Sequence, residues 1–310
     1  MYNFNMKILL FGSNGLVGSA CKDIFEKSSK TSELLCSTRE DTNLFNFTDT
    51  KKTIDSFKPD LIINAAAKVG GILANNTYRV EFLLENLKIN MNILESIIGN
   101  PKIKLINLGS SCIYPLGVNN PIQESSFMTG KLEPTNSPYA LAKIAAIELG
   151  NSISKQFGNK VINLMPTNLY GPNDNFSETS SHVIPGLIKR MHEAKLNQKH
   201  TFEIWGSGKP LREFLHVQDL ANCIEFISDL DIQHSLLNVG SGNEVTILEL
   251  ANLIKEVVEF KGELIFDSSK PDGNPRKLLD SSKINSIGWK PEITLEEGLK
   301  STYNWFRKNV

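Results

Sequence analysis

The chain has 310 residues, of which 40% are hydrophobic and 22% are charged, and its formal net charge at pH 7 is -1. Such a composition is typical of a soluble globular protein, and the length suits one large α/β unit or a core domain with a smaller partner. The near-neutral charge excludes a global bias toward nucleic acid or an anionic membrane, although it is compatible with a local basic site for a phosphorylated ligand.

No apolar run approaches the roughly 18–20 residues that a membrane span needs. Residues 1–7 lack the charged-then-apolar order of a secretion signal, so we expect a cytoplasmic protein. The four cysteines, Cys21, Cys36, Cys112 and Cys223, are not spaced like zinc ligands or like a disulfide framework. We therefore expect neither a bound metal nor a disulfide.

The first half of the chain alternates short apolar runs with segments of helical periodicity. Strands are predicted at residues 7–11, 34–37, 61–64, 104–108 and 160–165. Helices are predicted at residues 17–28, 49–57, 79–98 and 139–157. This alternation predicts an α/β fold with a Rossmann-type, doubly wound parallel sheet that helices cover on both faces.

After about residue 170 the alternation loosens. The patterns predict helices at 184–194, 219–230, 246–259 and 295–308, and strands at 201–205, 214–217 and 263–266. The segment 214–230 has the pattern of a strand and helix that return to the main sheet. We therefore predict a Rossmann domain of residues 1–170 plus about 211–240, and a smaller mixed α/β substrate lobe of about 171–210 plus 241–310, with a cleft between them.

Three glycines, Gly12, Gly15 and Gly18, lie between the first strand and the first helix. Gly12 permits a tight turn, Gly15 lets the backbone approach a pyrophosphate, and Gly18 lets the helix pack closely on the strand. The spacing alone is also compatible with an ordinary glycine turn, but its position after strand one favours a dinucleotide site. Further cofactor contacts are expected from the intervening residues Asn14, Leu16 and Val17.

The end of the second strand bears on the choice of cofactor. Residues 35–39 at this strand end contain no acidic residue that could accept from the ribose hydroxyls of NAD, and the first acid after them is Glu40. Arg39, in contrast, could pair with a 2′-phosphate. This favours NADPH, the alternative being that Arg39 is a solvated loop charge. Further along, Asn43 and Leu44 are expected to border the adenine, and the small residues Ala65, Ala66 and Ala67 to lie close to the flat cofactor.

Tyr139 and Lys143 lie one turn apart on one face of a predicted helix. Phenols have a pKa of about 10, and a nearby ammonium stabilises the phenolate. Ser110 follows the strand 104–108, whose end should face the same cleft, and can hydrogen-bond the substrate oxygen that Tyr139 protonates. In isolation the Tyr-x-x-x-Lys spacing is equally compatible with a solvated helix pair.

Taken together, the three glycines, Ser110, Tyr139 and Lys143 resemble the extended short-chain dehydrogenase/reductases. Longer segments are similar to the GDP-L-fucose synthase family within them, from strand one to Trp305. These segments are residues 65–72, 110–115, 132–136, 166–176, 181–185, 205–208, 212–216 and 271–277.

The resemblance implies an enzyme that epimerises GDP-4-keto-6-deoxy-D-mannose at C3 and C5 and then reduces C4 with NADPH. It implies that Cys112 is the base and His182 the acid of the inversions, and that Ser110, Tyr139 and Lys143 serve the hydride step. From the residues alone, Cys112 is also compatible with strand-end packing and His182 with a surface or capping histidine.

The resemblance also implies the remaining contacts. Arg190 and Arg212 would pair with the pyrophosphate, and Trp205 would border the nucleotide; the alternatives are salt bridges between the lobes and a core tryptophan. Further cofactor contacts are expected from Asn86, Pro166, Asn168, Leu169 and His182. Further substrate contacts are expected from Ser111, Cys112, Asn168 and Lys277.

A homodimer is expected through helices 79–98 and 139–157. An alternative function within the family is C4 reduction of another GDP-4-keto sugar, such as a GDP-4-keto-heptose of a capsule pathway, with epimerisation by a separate enzyme. A non-catalytic NADP-binding scaffold is a further alternative, which the presence of Ser110, Tyr139 and Lys143 disfavours.

Overall fold

The computed structural model describes residues 5–269, 272 and 274–310. Residues 1–4, part of the segment inspected for a secretion signal, lie outside the described residues, as do Pro271 and Gly273 of the segment 271–277. Among the described residues, no helix is both long and apolar enough to cross a membrane.

The strands are β1 (Met6–Phe11), β2 (Thr31–Ser37), β3 (Leu61–Asn64), β4 (Lys104–Leu108), β5 (Lys160–Pro166), β6 (Asn168–Tyr170), β7 (Thr201–Trp205), β8 (Leu211–His216), β9 (Leu236–Val239), β10 (Glu244–Thr246), β11 (Glu263–Asp267) and β12 (Arg276–Lys277). The α-helices are α1 (Leu16–Phe25), α2 (Phe47–Phe57), α3 (Ile72–Thr77), α4 (Arg79–Ser96), α5 (Ser137–Phe157), α6 (Val183–Leu196), α7 (Val217–Ile227), α8 (Ile247–Val258), α9 (Ser282–Ile287) and α10 (Leu295–Asn309).

Six strands form a parallel sheet in the order β2-β1-β3-β4-β5-β9. Alternate residues of β1 face opposite sides: Ile8 and Leu10 pack in the core that contains α1 and α7, while Leu9 and Phe11 pack in the core beneath α2, α4 and α5. The prediction of a Rossmann-type doubly wound sheet is confirmed. The order of strand addition reverses between β1 and β3, where ligands bind at the carboxyl edge of such sheets.

The prediction that the strand at 214–217 returns to the main sheet is wrong. This segment belongs largely to β8, which lies between β10 and β12 in a second sheet and also pairs with β6. The sixth strand of the main sheet is β9, which the sequence patterns missed because it has only four residues and Asn238 interrupts its apolar run. The helix that follows β8, α7, does pack on the main sheet beside α1.

A second core lies among α6, α8 and α10 and includes Leu187, Leu250 and Phe306. Strands β7 and β11 pair beside it. Two residues from the segment 241–310, Ile284 and Trp289, pack instead in the core of the main sheet. The lobe boundaries given above stay a prediction.

A ladder of buried asparagines crosses the middle of the main sheet. Asn64, Asn107 and Asn163 lie in register on β3, β4 and β5. Asn64 Nδ2 donates to Asn107 Oδ1 (2.8 Å), and Asn107 Nδ2 donates to Asn163 Oδ1 (3.2 Å). Asn64 Oδ1 accepts from the backbone N–H of Ala66 (3.1 Å), so the ladder also fixes the loop that leaves β3 at the switch point.

Substitution of the central member of this ladder should destabilise the protein. Asn107→Leu leaves Asn163 Oδ1 without its donor and removes the shorter bond of the Asn64 amide. Each buried polar group that loses its partner costs about 1–3 kcal/mol, so we expect the free energy of unfolding in urea to fall by about 2–4 kcal/mol. The control is Asn252→Leu on the exposed face of α8, which should change it by less than about 0.5 kcal/mol. Equal losses in the two variants would contradict a structural role for the ladder.

Candidate active site

The glycine turn between β1 and α1 lies against the loop that follows β3. Gly12 has a φ of 77°, and a Cβ there would lie 2.7 Å from the backbone of Ala66. A Cβ on Gly18 would overlap the carbonyl of Gly12, whereas one on Gly15 would meet only that carbonyl, at 3.5 Å. Gly12 and Gly18 therefore leave no room for a side chain because the protein packs against them, whereas the backbone at Gly15 has space beside it. A pyrophosphate needs such space to approach the backbone.

Helix α1 begins at this turn without a side-chain cap. Its N-cap residue is Gly15, and Asn14 and Gly15 are exposed. The first N–H groups, including those of Leu16 and Val17, have no intrahelical acceptor. Such groups, together with the helix dipole, bind anions. The residues predicted to hold the cofactor phosphates are thus brought together at one uncapped helix terminus.

The loop after β2 leaves one cation available at the end of the strand. Arg39 is exposed and makes no ion pair with any described residue. The nearby carboxylate of Asp41 accepts from the backbone N–H (2.8 Å) and the hydroxyl (2.7 Å) of Thr38, and these hydrogen bonds lower the Asp41 pKa. This acid is therefore occupied within its own turn, which suits a 2′-phosphate at Arg39 better than free ribose hydroxyls.

Two predicted adenine neighbours lie in the next turn. Asn43 is exposed, and its side-chain oxygen accepts from Phe45 N (3.0 Å). Leu44 is half-buried, and its carbonyl accepts from Asn92 Nδ2 (2.8 Å). The loop after β3 continues this surface: Ala65, Ala66 and Ala67 are half-buried, and Ala65 N donates to Phe11 O (3.0 Å).

Asn86 has a different place from the one expected of a cofactor ligand. It is fully buried in α4, and its Oδ1 accepts from Lys68 N (3.1 Å). Its Nδ2 donates to Lys68 O (3.0 Å) and Phe82 O (2.7 Å). Because both amide hydrogens and the carbonyl are engaged by the backbone, Asn86 holds the loop after β3 rather than offering a free group to a ligand.

Ser110, Tyr139 and Lys143 meet at the end of β4. Tyr139 and Lys143 lie in the first turns of α5, and the Ser110 side chain lies close enough to Tyr139 to act on its pKa. Lys143 Nζ donates to Leu108 O (2.6 Å) and lies 5.8 Å from the centre of the Tyr139 ring. The structure therefore brings together the three residues that the sequence selected.

The pKa values of Tyr139 and Lys143 do not follow the expectation that a nearby ammonium favours the phenolate. Burial raises the pKa of Tyr139 above its ordinary value, the nearby Cys112 raises it further, and the Ser110 side chain opposes both effects. Burial lowers the pKa of Lys143 to about 8. Desolvation thus outweighs the lysine's stabilisation of the phenolate in the free chain, which leaves Tyr139 protonated and able to donate a proton.

Cys112 lies in a short 3-10 helix, Ser111–Ile113, that follows Ser110, and its N–H donates to Ser110 Oγ (3.2 Å). Its half-buried sulfur accepts from Asn136 Nδ2 (3.4 Å) and from Lys277 Nζ (3.8 Å). Ser111, the first residue of this turn, is buried. Lys277, predicted to reach the nucleotide, is thus placed at the cysteine, and Asn136 was not predicted as a site residue.

His182 is the N-cap residue of α6 and is accessible from solvent. Its pKa is lowered because the surrounding protein desolvates the imidazolium. The segment that leads to it rests on the loop after β3: Gly71 N donates to Ser180 O (3.1 Å), and a Cβ on Gly71 would lie 2.7 Å from Ser181 O. The close approach at Gly71 therefore fixes the chain that carries His182.

The candidate nucleotide residues lie outside the main sheet, on α6, β7 and β8. Arg190 is exposed on α6 and Arg212 is half-buried on β8, and neither makes an ion pair within 4 Å with a described residue. This disfavours the alternative of salt bridges between the lobes. Trp205 ends β7 with 63% of its surface exposed, which excludes a core tryptophan.

Asn168 links these residues to the main sheet. It is exposed at the start of β6, and its Nδ2 donates to Glu213 O (2.8 Å). The buried Pro166 ends β5, and Leu169 packs against the core of the main sheet. The Glu213 carboxylate is buried and accepts from Gly242 N (2.8 Å) and Leu279 N (3.1 Å), and burial raises its pKa. Glu213 joins three segments, a role that its sequence position did not reveal.

The described residues contain no group of three or more His, Cys, Asp or Glu side chains that could hold a metal. The geometry instead combines a dinucleotide turn, a Ser-Tyr-Lys group, a cysteine between two donors and two arginines that make no ion pair with a described residue.

Comparisons with known proteins agree with this geometry. The model of the NAD dependent epimerase/dehydratase family matches residues 8–240. GDP-L-fucose synthase 1 of Arabidopsis thaliana is 49% identical over 310 residues, which cover 100% of this chain and 96% of that protein. GDP-L-fucose synthase of Escherichia coli (strain K12) is 46% identical over 312 residues, which cover 98% of this chain and 97% of that protein.

Solved structures extend the comparison. A GDP-L-fucose synthetase from Naegleria fowleri bound to NADP superposes with a TM-score of 0.89 at 29% identity, covering 98% of this chain and 94% of that one. A GDP-6-OMe-4-keto-L-xylo-heptose reductase from C. jejuni superposes with a TM-score of 0.89 at 32% identity, covering 100% and 99%. The chain therefore belongs to the NAD-dependent epimerase/dehydratase family and resembles its GDP-L-fucose synthases over its whole length.

Proposed function

We propose that this protein is an NADPH-dependent epimerase/reductase that converts GDP-4-keto-6-deoxy-D-mannose to GDP-L-fucose. The observation that carries the proposal is the position of Cys112 in the turn that begins at Ser110, beside Tyr139 and Lys143. A base for inversion and an acid for reduction are thereby available to one sugar bound at the end of β4.

The first half of the proposed reaction inverts two carbons next to the C4 ketone. The ketone acidifies the hydrogens on C3 and C5, because the carbanion that forms is delocalised onto O4. At each carbon the Cys112 thiolate removes the proton from one face, and His182 as imidazolium delivers a proton to the opposite face. Proton exchange with solvent then returns Cys112 to the thiolate and His182 to the imidazolium before the second carbon is inverted. Since desolvation lowers the His182 pKa in the free protein, the negative charge of the bound substrate is needed to keep it protonated.

The second half reduces the C4 ketone. When bound, NADPH supplies the hydride that is transferred to C4. Ser110 hydrogen-bonds the developing alkoxide, and Tyr139 donates its phenolic proton to O4. The raised pKa of Tyr139 keeps this proton in place until the alkoxide forms, and the ammonium of Lys143 stabilises the phenolate left behind.

The arginines described above and the N–H groups at the start of α1 would bind the phosphates of NADPH and of the GDP-linked sugar. The glycine turn and the N-terminus of α1 would hold the cofactor pyrophosphate, and Arg39 its 2′-phosphate. Arg190 and Arg212 would pair with the pyrophosphate of GDP in forked geometry, with Trp205 beside the nucleotide.

The alternative is C4 reduction of a GDP-4-keto-heptose without inversion. It is supported by the similarity to the C. jejuni heptose reductase, although the identity there is 32% against 46–49% for the GDP-L-fucose synthases. The two sugars differ mainly at C6, so inversion is the property that separates the two functions.

Solvent isotope incorporation tests the inversion. With GDP-4-keto-6-deoxy-D-mannose and NADPH in deuterated water, we expect deuterium at both C3 and C5 of the product. Cys112→Ser should slow this incorporation by about 100-fold or more, since general acid–base catalysis of this kind contributes 10²–10⁴-fold. The product is analysed by proton NMR.

The control for the Cys112→Ser variant is the reduction of already inverted GDP-4-keto-6-deoxy-L-galactose, which should keep most of its rate. Consumption of NADPH by the wild-type protein with deuterium at neither carbon would refute the epimerase and leave the reductase.

The buried lysine predicts a pH dependence for the reduction. A Lys143 pKa of about 8 means that the ammonium is present below that pH and is lost above it. The kcat/KM for the already inverted substrate reports the free enzyme, so it should fall as pH rises through about 8, approaching tenfold per pH unit. Lys143→Arg keeps its charge throughout this range and should move the decline to higher pH. An unchanged decline in that variant would assign it to another group.

We also propose that the protein is a homodimer through α4 and α5. The two helices pack side by side. Val80, Leu84 and Met91 form an exposed apolar row on α4, and Leu141 is exposed on α5. A second copy would bury this surface in a four-helix interface.

Charge on this surface should prevent association. In sedimentation velocity experiments we expect the wild-type protein to sediment as a dimer and Leu84→Glu combined with Met91→Glu to sediment as a monomer. Leu196→Glu, which places the same charge on an exposed leucine of α6, is the control and should stay dimeric. A dimeric double variant would place the interface elsewhere.

A further inference from the structure

We propose that Lys277 and Asn136 hold the Cys112 sulfur in its anionic form, and that Lys277 thereby serves proton transfer rather than nucleotide binding. This inference rests on the proposed function, because it concerns the base of the inversion step.

The contacts at the sulfur carry the inference. Asn136 Nδ2 lies 3.4 Å from Cys112 Sγ, and Lys277 Nζ lies 3.8 Å from it. An ammonium offers three donors and no acceptor, so the sulfur is the acceptor in the contact with Lys277. A half-buried sulfur that accepts from one cation and one amide favours the thiolate, which is the form that acts as a base.

The charge at Lys277 has no competing partner in the part of the chain that the structure describes. Lys277 forms no ion pair there, whereas its neighbour Arg276 points to the other side of β12 and pairs with Glu244 (2.8 Å). Adjacent residues of a strand face opposite ways. The strand therefore directs one cation to a carboxylate and the next one to the sulfur.

The backbone around Lys277 is fixed at several points. Lys277 pairs in register with Arg212 on β8. The next two N–H groups donate to side chains, Leu278 N to Asn120 Oδ1 (2.8 Å) and Leu279 N to Glu213 Oε2 (3.1 Å). A lysine side chain is flexible, so this anchoring of its strand is what keeps the ammonium within reach of Cys112.

Asn136 is held from the opposite side. Glu133 accepts from Asn136 N (3.0 Å) and Thr135 N (3.1 Å), which forms the tight turn before α5. Arg79 stabilises the same turn by donating a hydrogen bond to Pro134 O (2.9 Å). The two donors on the sulfur thus come from separate parts of the fold, the start of α5 and the edge of the second sheet.

In each inversion Cys112 gains one proton from the sugar and His182 gives one proton to it. The C–H bond at C3 or C5 breaks, its electron pair passes into the enolate that ends on O4, and an S–H bond forms on Cys112. On the other face, the N–H bond of the His182 imidazolium breaks and a new C–H bond forms. The ammonium of Lys277 is unchanged, and it lowers the free energy of the state in which the sulfur carries the negative charge.

The test that is independent of substrate is the alkylation of Cys112 by iodoacetamide as a function of pH, followed by peptide mass spectrometry. We expect Lys277→Met to lower the rate at pH 7 roughly tenfold, because the thiolate is the reactive form, and Lys277→Arg to restore most of it. The control is Arg276→Met, which removes the neighbouring cation and should leave the rate unchanged. Cys36, which is half-buried, reports general changes in reactivity in the same samples.

The functional test uses the same variants with the GDP-linked substrates. Lys277→Met should slow deuterium incorporation at C3 and C5 at least tenfold, with less than a twofold change in KM and in the reduction of the already inverted sugar. A rise in KM with unchanged alkylation and incorporation would overturn the inference and return Lys277 to the nucleotide.

Failure of the proposed function is recognised separately. Wild-type protein that incorporates no deuterium would refute the epimerase, whereas the alkylation experiment would still decide whether Lys277 acts on Cys112. A melting temperature within about 2 °C of wild type identifies variants that fold normally.

Discussion

The hydrogen bond from the buried Lys143 ammonium to the carbonyl of Leu108 ties the first turns of α5 to the end of β4. A buried ammonium is unfavourable unless it is hydrogen-bonded, and here its position also determines where the chemistry occurs. Tyr139 is one turn away on the same helix, and the Ser110 turn begins two residues after Leu108. Cys112 follows Ser110 in the same turn, and its N–H donates to Ser110 Oγ, so the base of the inversion is placed by the same junction.

Those features of the fold that depend on local pattern could be read from the sequence. Four of the predicted strands of the main sheet, β1, β3, β4 and β5, are almost wholly buried and appear as apolar runs, whereas the edge strand β2 is only partly buried. The glycine turn has its signature within seven residues. Strand β9 and the sheet that holds β8 could not be read in this way. Their placement depends on pairing between segments far apart in the chain, for which a short apolar run carries no information.

The same distinction applies to the site. Motif positions identified Ser110, Tyr139 and Lys143 correctly as neighbours, because a helix face and a strand end determine where they lie. They did not indicate that the Asn86 amide is saturated by the backbone or that Lys277 lies at Cys112, since these contacts span 18 and 165 residues of sequence. Asn136 and Glu213 were missed for the same reason: each acts through a contact that no local spacing encodes.

The residues proposed for reduction and those proposed for inversion lie on different sets of structural elements. The reductive group lies entirely between β4 and the second turn of α5, so it needs only the main sheet. The inversion group also needs Lys277 from β12 and His182, whose segment is supported by the contact between Gly71 and Ser180. Changes at these outer supports should therefore affect inversion more than reduction, because the hydrogen bonds of Lys143 and Ser110 are made to β4 and to the turn that follows it. For this chain, the presence of Cys112, Lys277 and Asn136 in contact is the physical argument that inversion has been kept.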